Sequence, residues 1–147
     1  MKALVQRVTE ASVDIDGERV AEIGTGYLVL FGVTHDDTKT DAERLAERLF
    51  KLRIFEDDAG KTNRSIVDVG GSVIVVSQFT LYADTAHGNR PGFSAAARPE
   101  LAIPLYECFV EHLRGLLGPE RVLTGRFGAD MKVRMLNDGP FTVELAS

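Results

Sequence analysis

The sequence predicts a mixed α/β fold: a β-sheet or barrel of about seven strands covered by two helices, in one domain spanning residues 1–147. Short alternating or wholly apolar stretches predict strands, and two longer stretches repeat apolar residues with helical spacing. No linker, repeat or low-complexity segment divides the chain. Hydrophobic residues make up 44% and charged residues 27%, which is typical of a packed globular core.

The first elements are a strand pair and a central strand. Apolar and polar residues alternate along "ALVQRVTEASVDI", and Asp16-Gly17 is a dipeptide typical of a hairpin turn, here leading into "ERVAEI". "GYLVLFGV" is apolar throughout and bounded by glycines, as expected for a strand buried on both faces.

Two stretches predict helices. "TDAERLAERLFKL" has Thr40 and Glu43 at capping-box spacing, and its apolar residues recur at helical intervals: Ala42, Leu45, Ala46, Leu49 and Phe50. A second helix is predicted over residues 100–117, where Pro104 marks either its start or a bend.

The remaining segments are loops and strands. "EDDAGKTNRS" predicts a polar loop, and "TAHGNRPGFSAAARPE" predicts a loop rich in glycine and proline. "GGSVIVVSQFTLYAD" predicts a buried strand that runs into a polar segment. Three more strands are predicted at "RVLTGRFG", "MKVRML" and "FTVELA".

Composition excludes several classes of protein. The net charge of −5 argues against a broad basic surface for nucleic acid but is compatible with a local basic patch. The single cysteine, Cys108, excludes an intramolecular disulfide and a cysteine-rich zinc site, and three separated histidines do not suggest a metal centre. Gln6, Arg7 and Glu10 interrupt any signal peptide, and no apolar run could span a bilayer. We expect a soluble cytoplasmic protein without metal, cofactor or membrane partner.

Two polar segments are candidates for chemistry. Ser77, Gln78 and Thr80 directly follow "VIVV", and functional groups often collect where a buried strand ends. Spacing alone favours a simpler interpretation, in which the strand ends as an edge strand and Ser77 and Thr80 form hydrogen bonds with the local backbone. Gly139-Pro140 separates "MKVRML" from "FTVELA", and a plain turn is its default interpretation because only about 5–6% of X–Pro bonds are cis.

Together, "VSQFTLYAD" and "NDGPFT" resemble the two signature motifs of the D-aminoacyl-tRNA deacylases, also called D-tyrosyl-tRNA deacylases, which read S-Q-F-T and N-x-G-P-x-T. The resemblance runs the whole length of the chain, through "VQRVTEASV", "LRIFEDDAGK", "GNRPGF" and "GRFGADMKVRMLNDGP". Phe141 stands where the family usually has valine.

This resemblance implies a homodimer that hydrolyses the ester between a D-amino acid and the terminal adenosine of tRNA, without metal or cofactor. It implies that residues 77–80 line the aminoacyl-adenosine pocket, with Phe79 in its wall, and that Gly139-Pro140 is cis and enters the partner subunit's pocket. Arg7 and Asn137 would support that Gly-Pro pair. Phe127 and Met131 would contact the adenine or the pocket wall, although plain core packing is an equal alternative.

The implied Gly-Pro pair would act as a chirality gate. Its carbonyl oxygens could hold the substrate's α-ammonium group, so that the side chain of an L-residue collides with backbone while that of a D-residue points outward. Glycyl-tRNA would avoid the collision and is an expected second substrate.

The chemistry leaves alternatives open. Thr80 could be a nucleophile, but the motif has no histidine or lysine to activate it. We favour a water attack assisted by the ribose 2′-OH, with Gln78 and Thr80 orienting the reactants and backbone N–H groups near Phe79 and Thr80 as the oxyanion hole. Two other hypotheses remain: a tRNA-binding module without catalysis, and a small-molecule esterase that uses Thr80 as its nucleophile.

Overall fold

The computed structural model describes residues 1–147 and contains eight strands and two α-helices. The strands are β1 (Lys2–Ile15), β2 (Glu18–Ile23), β3 (Gly26–Gly32), β4 (Arg53–Glu56), β5 (Thr62–Ser65), β6 (Ser72–Ser77), β7 (Val122–Thr124) and β8 (Lys132–Ala146). The helices are α1 (Lys39–Lys51) and α2 (Pro99–Leu117), with short 3-10 turns at Phe79–Tyr82 and Pro119–Arg121.

Six strands form one mixed sheet in the order β2-β1-β3-β6-β7, and β8 pairs with β1 as well. β1 is antiparallel to β2, β3 and β8, whereas β3, β6 and β7 run parallel to one another. The sheet is nearly closed as a barrel, and the two helices complete the domain. The predicted mixed α/β fold with a sheet or barrel and two helices is therefore confirmed.

Two groups of buried side chains hold the fold together. The larger group lies between the sheet and the helices, where Phe31 of β3 stacks on Phe109 of α2 with ring centroids 4.4 Å apart. The smaller group lies among β1, β2, β3 and β6 and includes Val8, Leu28 and Ile74. The face of α1 that the sequence predicted to be apolar is buried at Ala42, Leu45, Ala46 and Leu49.

The structure corrects the predicted start of α1. The N-cap is Thr38, and its capping box is closed by Asp41 rather than by Thr40 and Glu43. The Asp41 carboxylate accepts hydrogen bonds from the Thr38 hydroxyl at 2.7 Å and from the Thr38 backbone N–H at 2.8 Å, and both lower the pKa of Asp41. An aspartate therefore serves in place of the Glu of the usual box, two residues earlier than predicted.

Two further boundaries differ from the prediction, and the structure decides the role of Pro104. The predicted polar loop "EDDAGKTNRS" contributes to the antiparallel hairpin of β4 and β5. α2 spans Pro99–Leu117, within one residue of the prediction, and continues through Pro104, so Pro104 is not its start. "MKVRML" and "FTVELA" are not two strands but the two ends of β8, which pairs with β1 on both sides of Gly139-Pro140.

Neither helix combines the length and the apolar character that a membrane-spanning helix needs.

Candidate active site

The polar segment after β6 forms a 3-10 turn. The backbone N–H of Gln78 donates to Phe31 O at 2.7 Å, which continues the contact with β3 for one residue beyond the strand. The chain then turns at residues 79–82, where Leu81 N–H donates to Gln78 O and Ala83 N–H donates to Thr80 O. A helical turn leaves its first N–H groups without an intrahelical acceptor, here those of Phe79 and Thr80.

This SQFT segment (residues 77–80) borders a cavity of about 310 Å³, called here the SQFT cavity. Its lining is mostly hydrophobic and includes five of the residues singled out from the sequence: Ser77, Gln78, Phe79, Phe127 and Met131. A mostly apolar cavity with a few convergent polar groups is the usual form of a small-molecule site.

Thr80 and Gln78 act as a unit at the edge of this cavity. Thr80 is not part of the lining, but its hydroxyl accepts a hydrogen bond from Gln78 Nε2 at 2.5 Å. The donation fixes the orientation of the Gln78 amide and leaves the hydroxyl hydrogen of Thr80 available to another acceptor.

Some lining residues were not anticipated from the sequence. Val33, Ala97 and Ala102 line the SQFT cavity from the end of β3 and the start of α2, and Asp130 lines it from the loop before β8. Asp130 is paired with Lys132 at 3.1 Å, and it is the one acidic or basic side chain in the lining. The signal for Asp130 was its place in "GRFGADM", between Phe127 and Met131.

Tyr106 of α2 is a supporting residue that the sequence did not reveal. Its ring meets Phe127 edge-on, with centroids 6.0 Å apart, and its hydroxyl donates to Val75 O of β6 at 2.8 Å. Burial raises the pKa of Tyr106 to about 12. Tyr106 is therefore a neutral, anchored ring that supports Phe127 from the core side.

The second predicted cluster is an interruption in the pairing of β1 with β8. Gln6 pairs with Thr142 and Val8 with Asn137, so that Arg7 alone faces residues 138–141, called here the Gly-Pro segment. The Gly139–Pro140 peptide bond is cis, and Gly139 has a φ of +136°. Asp138, Gly139 and Pro140 are exposed. The strand thus pushes these residues outward while both of its ends stay paired.

Arg7 holds the Gly-Pro segment from the core side. It is only 5% exposed, so its side chain points into the protein and not into solvent. Its Nε donates to Asp138 O at 3.0 Å, and its Nη1 donates to Ile54 O of β4 at 2.6 Å. The guanidinium also lies 4.7 Å from the centroid of the Phe141 ring. The backbone of β4 therefore anchors this arginine through the carbonyl of Ile54.

Asn137 supports the same segment from within β8. Its Oδ1 accepts the backbone N–H of Phe141 at 2.7 Å, and its Nδ2 donates to Thr142 Oγ1 at 3.3 Å. The first of these hydrogen bonds spans the bulge and satisfies an N–H group that the interrupted ladder leaves unpaired. Arg7 and Asn137 thus both contact the Gly-Pro segment.

The two predicted clusters do not meet within one chain. Neither the Gly-Pro pair nor Arg7 or Asn137 lines the SQFT cavity. Both clusters are accompanied by exposed apolar side chains: Phe79 is 55% exposed and packs edge-on against Phe93, while Leu136 of β8 is 56% exposed. Met135 and Val133 extend the exposed apolar stretch along β8.

The structure contains no group of three or more His, Cys, Asp or Glu side chains placed to hold a metal ion.

Residues 4–146 match the family model described as D-Tyr-tRNA(Tyr) deacylase. D-aminoacyl-tRNA deacylases of Marinobacter nauticus and Cereibacter sphaeroides are 54% and 55% identical over 147 residues, covering all of this chain and 94% and 100% of theirs. A solved structure of the c-Myc DNA Unwinding Element Binding Protein superposes with a TM-score of 0.94 at 44% identity, over 100% of this chain and 99% of that one. A probable eukaryotic D-amino acid tRNA deacylase shares the fold at 17% identity, with a TM-score of 0.86 over 98% and 97% of the two chains.

Proposed function

The chain belongs to the D-Tyr-tRNA(Tyr) deacylase family, and from this membership we propose that it hydrolyses the ester bond of D-aminoacyl-tRNA in the cytoplasm. Water adds to the ester carbonyl, the bond to the ribose oxygen of the terminal adenosine breaks, and free D-amino acid and tRNA are released. The observation that carries the proposal is the SQFT cavity, where Ser77, Gln78 and Phe79 meet at the end of a buried strand.

The proposed mechanism uses backbone and substrate groups. The N–H groups of Phe79 and Thr80, at the start of the 3-10 turn, stabilise the oxyanion of the tetrahedral intermediate. The lining holds no histidine or lysine that could activate a nucleophile. The ribose 2′-OH of the substrate assists the attacking water, and the hydrogen-bonded Gln78–Thr80 pair orients the reactants.

A second subunit completes the site in this proposal. The Gly-Pro segment is exposed and does not line the SQFT cavity of its own chain, so it is free to enter that of a partner. The exposed apolar side chains of Val133, Met135 and Leu136, which follow one another along β8, support a homodimer, because neighbouring large apolar side chains at a surface commonly mark an interface.

The Gly-Pro segment acts as the chirality gate. Its backbone carbonyls accept hydrogen bonds from the α-ammonium group of the aminoacyl ester, and an L-side chain then collides with the backbone. D-side chains of many kinds point outward and are accepted. Glycyl-tRNA, which has no side chain to collide, is also hydrolysed.

Release of tyrosine from D-Tyr-tRNA tests the proposal, with Gln78→Ala and Thr80→Ala as variants. The wild-type protein is expected to release D-tyrosine. Loss of one orienting group costs about 10²–10³ in rate if it acts directly on the transition state, and less if it only positions a neighbour. Complete loss in Thr80→Ala, with a trappable acyl-enzyme in the wild type, would instead assign Thr80 as nucleophile. Tight tRNA binding without release of D-tyrosine would indicate a binding module.

Mixing two variants that are each impaired in a different cluster tests the shared site. In a heterodimer of a Gln78→Ala subunit and a Gly139→Trp subunit, one SQFT cavity is intact and receives an intact Gly-Pro segment from its partner. Activity is therefore expected to return when the two proteins are unfolded and refolded together. A mixture that stays inactive although heterodimers form contradicts the cross-subunit gate.

A further inference from the structure

Beside the SQFT cavity lies a second cavity of about 360 Å³, bounded by α2 and the chain that follows β7. Phe127 lines both cavities, which makes them neighbours. We propose that this side cavity binds the penultimate nucleotide of the tRNA 3′ end, a cytidine, while the terminal adenosine occupies the SQFT cavity. The inference rests on the proposed function, because it extends that substrate by one nucleotide.

Aromatic side chains give the side cavity a wall suited to a base. Phe127 and Tyr106 line it with their rings edge-to-face, and the hydrogen bond from Tyr106 to Val75 O fixes the pair. Proteins read single-stranded RNA ends mainly by stacking unpaired bases on aromatic rings and bonding to their edges. A base stacked here adjoins whatever occupies the other side of Phe127.

An available cation lies at the side cavity. Arg126 is exposed, and its guanidinium makes no hydrogen bond or ion pair within the chain. The other arginine of the lining, Arg114, is engaged by Val122 O at 3.2 Å and by the Glu111 carboxylate at 2.7 Å. Arg126 is therefore the group that contacts the phosphate joining the last two nucleotides, since guanidinium groups bind phosphate oxygens well.

An available acceptor explains the choice of base. Glu107 is exposed in the lining and has no partner, whereas Glu111 is paired with Arg114. A carboxylate accepts hydrogen bonds from the cytosine N4 amino group, as in direct readout of nucleic acids. Uracil has an oxygen, O4, at the same position. Two acceptors, uracil O4 and the Glu107 carboxylate, would then face each other without a hydrogen bond. Glu107 therefore favours cytidine over uridine.

Three small esters test the proposal: D-tyrosyl adenosine, D-tyrosyl CpA and D-tyrosyl UpA. In the wild type the added cytidine is expected to raise kcat/KM about tenfold, the scale of one well-placed base contact. Arg126→Ala is expected to remove most of this gain, measured as the CpA-to-adenosine ratio within each variant. Arg44→Ala, which removes an exposed arginine of α1 that lines neither cavity, should keep the gain.

The base preference is tested with Glu107→Gln. The wild type should hydrolyse the CpA ester faster than the UpA ester, and Glu107→Gln should narrow that ratio because an amide can donate to uracil O4. Equal rates on the adenosine and CpA esters, or a gain that survives Arg126→Ala, would overturn the inference. Failure to hydrolyse any of the esters or D-Tyr-tRNA itself would overturn the proposed function, which is a separate result.

Discussion

Replacing Arg7 tests how the Gly-Pro segment is positioned. The guanidinium donates to Ile54 O at 2.6 Å and to Asp138 O at 3.0 Å, and it lies 4.7 Å from the Phe141 ring centroid. It is 5% exposed, so these contacts are little screened by solvent. Arg7→Ala removes these contacts, together with the ion pair between Nε and Asp138 Oδ2 at 3.5 Å, and leaves two carbonyls and a ring facing an empty space.

The size of the effect follows from these contacts. A hydrogen bond to a charged group contributes about 1.5–3 kcal/mol, and a cation–π contact contributes about 0.5–2 kcal/mol. Because water can partly replace the lost donors and the contributions are not additive, we expect the free energy of unfolding to fall by about 3–4 kcal/mol. Domains usually have about 5–15 kcal/mol, so the variant remains folded.

Two assays separate stability from gating. Guanidinium chloride unfolding at neutral pH measures stability. Arg7→Lys is the control, because lysine keeps the positive charge but lacks the planar set of guanidinium N–H donors. Hydrolysis of D-Tyr-tRNA measures gating, and displacement of the Gly-Pro segment is expected to lower kcat/KM by about 10²-fold. Arg7→Ala with wild-type stability and activity would refute the reasoning. Lower stability with unchanged activity would restrict Arg7 to a structural role.

Three further changes have expected outcomes. Gly139→Ala places a Cβ 3.1 Å from Phe141 N at a φ of +136°, which should lower the free energy of unfolding by about 1–3 kcal/mol and also lower activity. The control is Gly60→Ala, at a φ of +74° with no atom within 4 Å of the added Cβ, which should affect stability alone. Leu136→Glu should convert the proposed dimer to monomers in sedimentation velocity, whereas Val20→Glu, at an exposed apolar site of β2, should leave the dimer intact. A wild-type protein that sediments as a monomer would contradict the proposed dimer. The hydrogen bond from the Lys61 backbone lowers the pKa of Asp57, so its stabilisation is present above the unfolded-state pKa of about 3.9 and is lost as pH falls through the folded value. Asp57→Asn should therefore lower the thermal midpoint at pH 7 but show a shrinking difference from wild type below pH 4, and a constant difference would count against it.

Regular periodicity made most of the fold predictable from the sequence. The apolar face of α1 was read directly because its burial repeats with the helical period, and β3 was recognised because its apolar run is unbroken. The β4–β5 hairpin was missed because polar residues fill "EDDAGKTNRS", while its pairing depends on the Asp57 turn. β8 was divided in two because a Gly-Pro pair normally ends a strand, and only tertiary pairing with β1 shows that it continues.

The site was less accessible to sequence reasoning than the fold. Residue spacing marked the SQFT segment as polar at a strand end, but it favoured an ordinary edge, and the family resemblance supplied the functional interpretation. Tyr106 could not be singled out because its helical spacing is that of any core residue. The role of Ile54 in holding Arg7 belongs to a backbone carbonyl, which carries no signal in residue identity.

The most direct test of the central claim compares D-Tyr-tRNA and L-Tyr-tRNA as substrates of the wild-type protein, with a metal chelator present. The account predicts rapid release of D-tyrosine while the L-ester remains intact. Hydrolysis of both esters at similar rates would contradict the chirality gate, and inertness toward both would contradict the proposed deacylase activity.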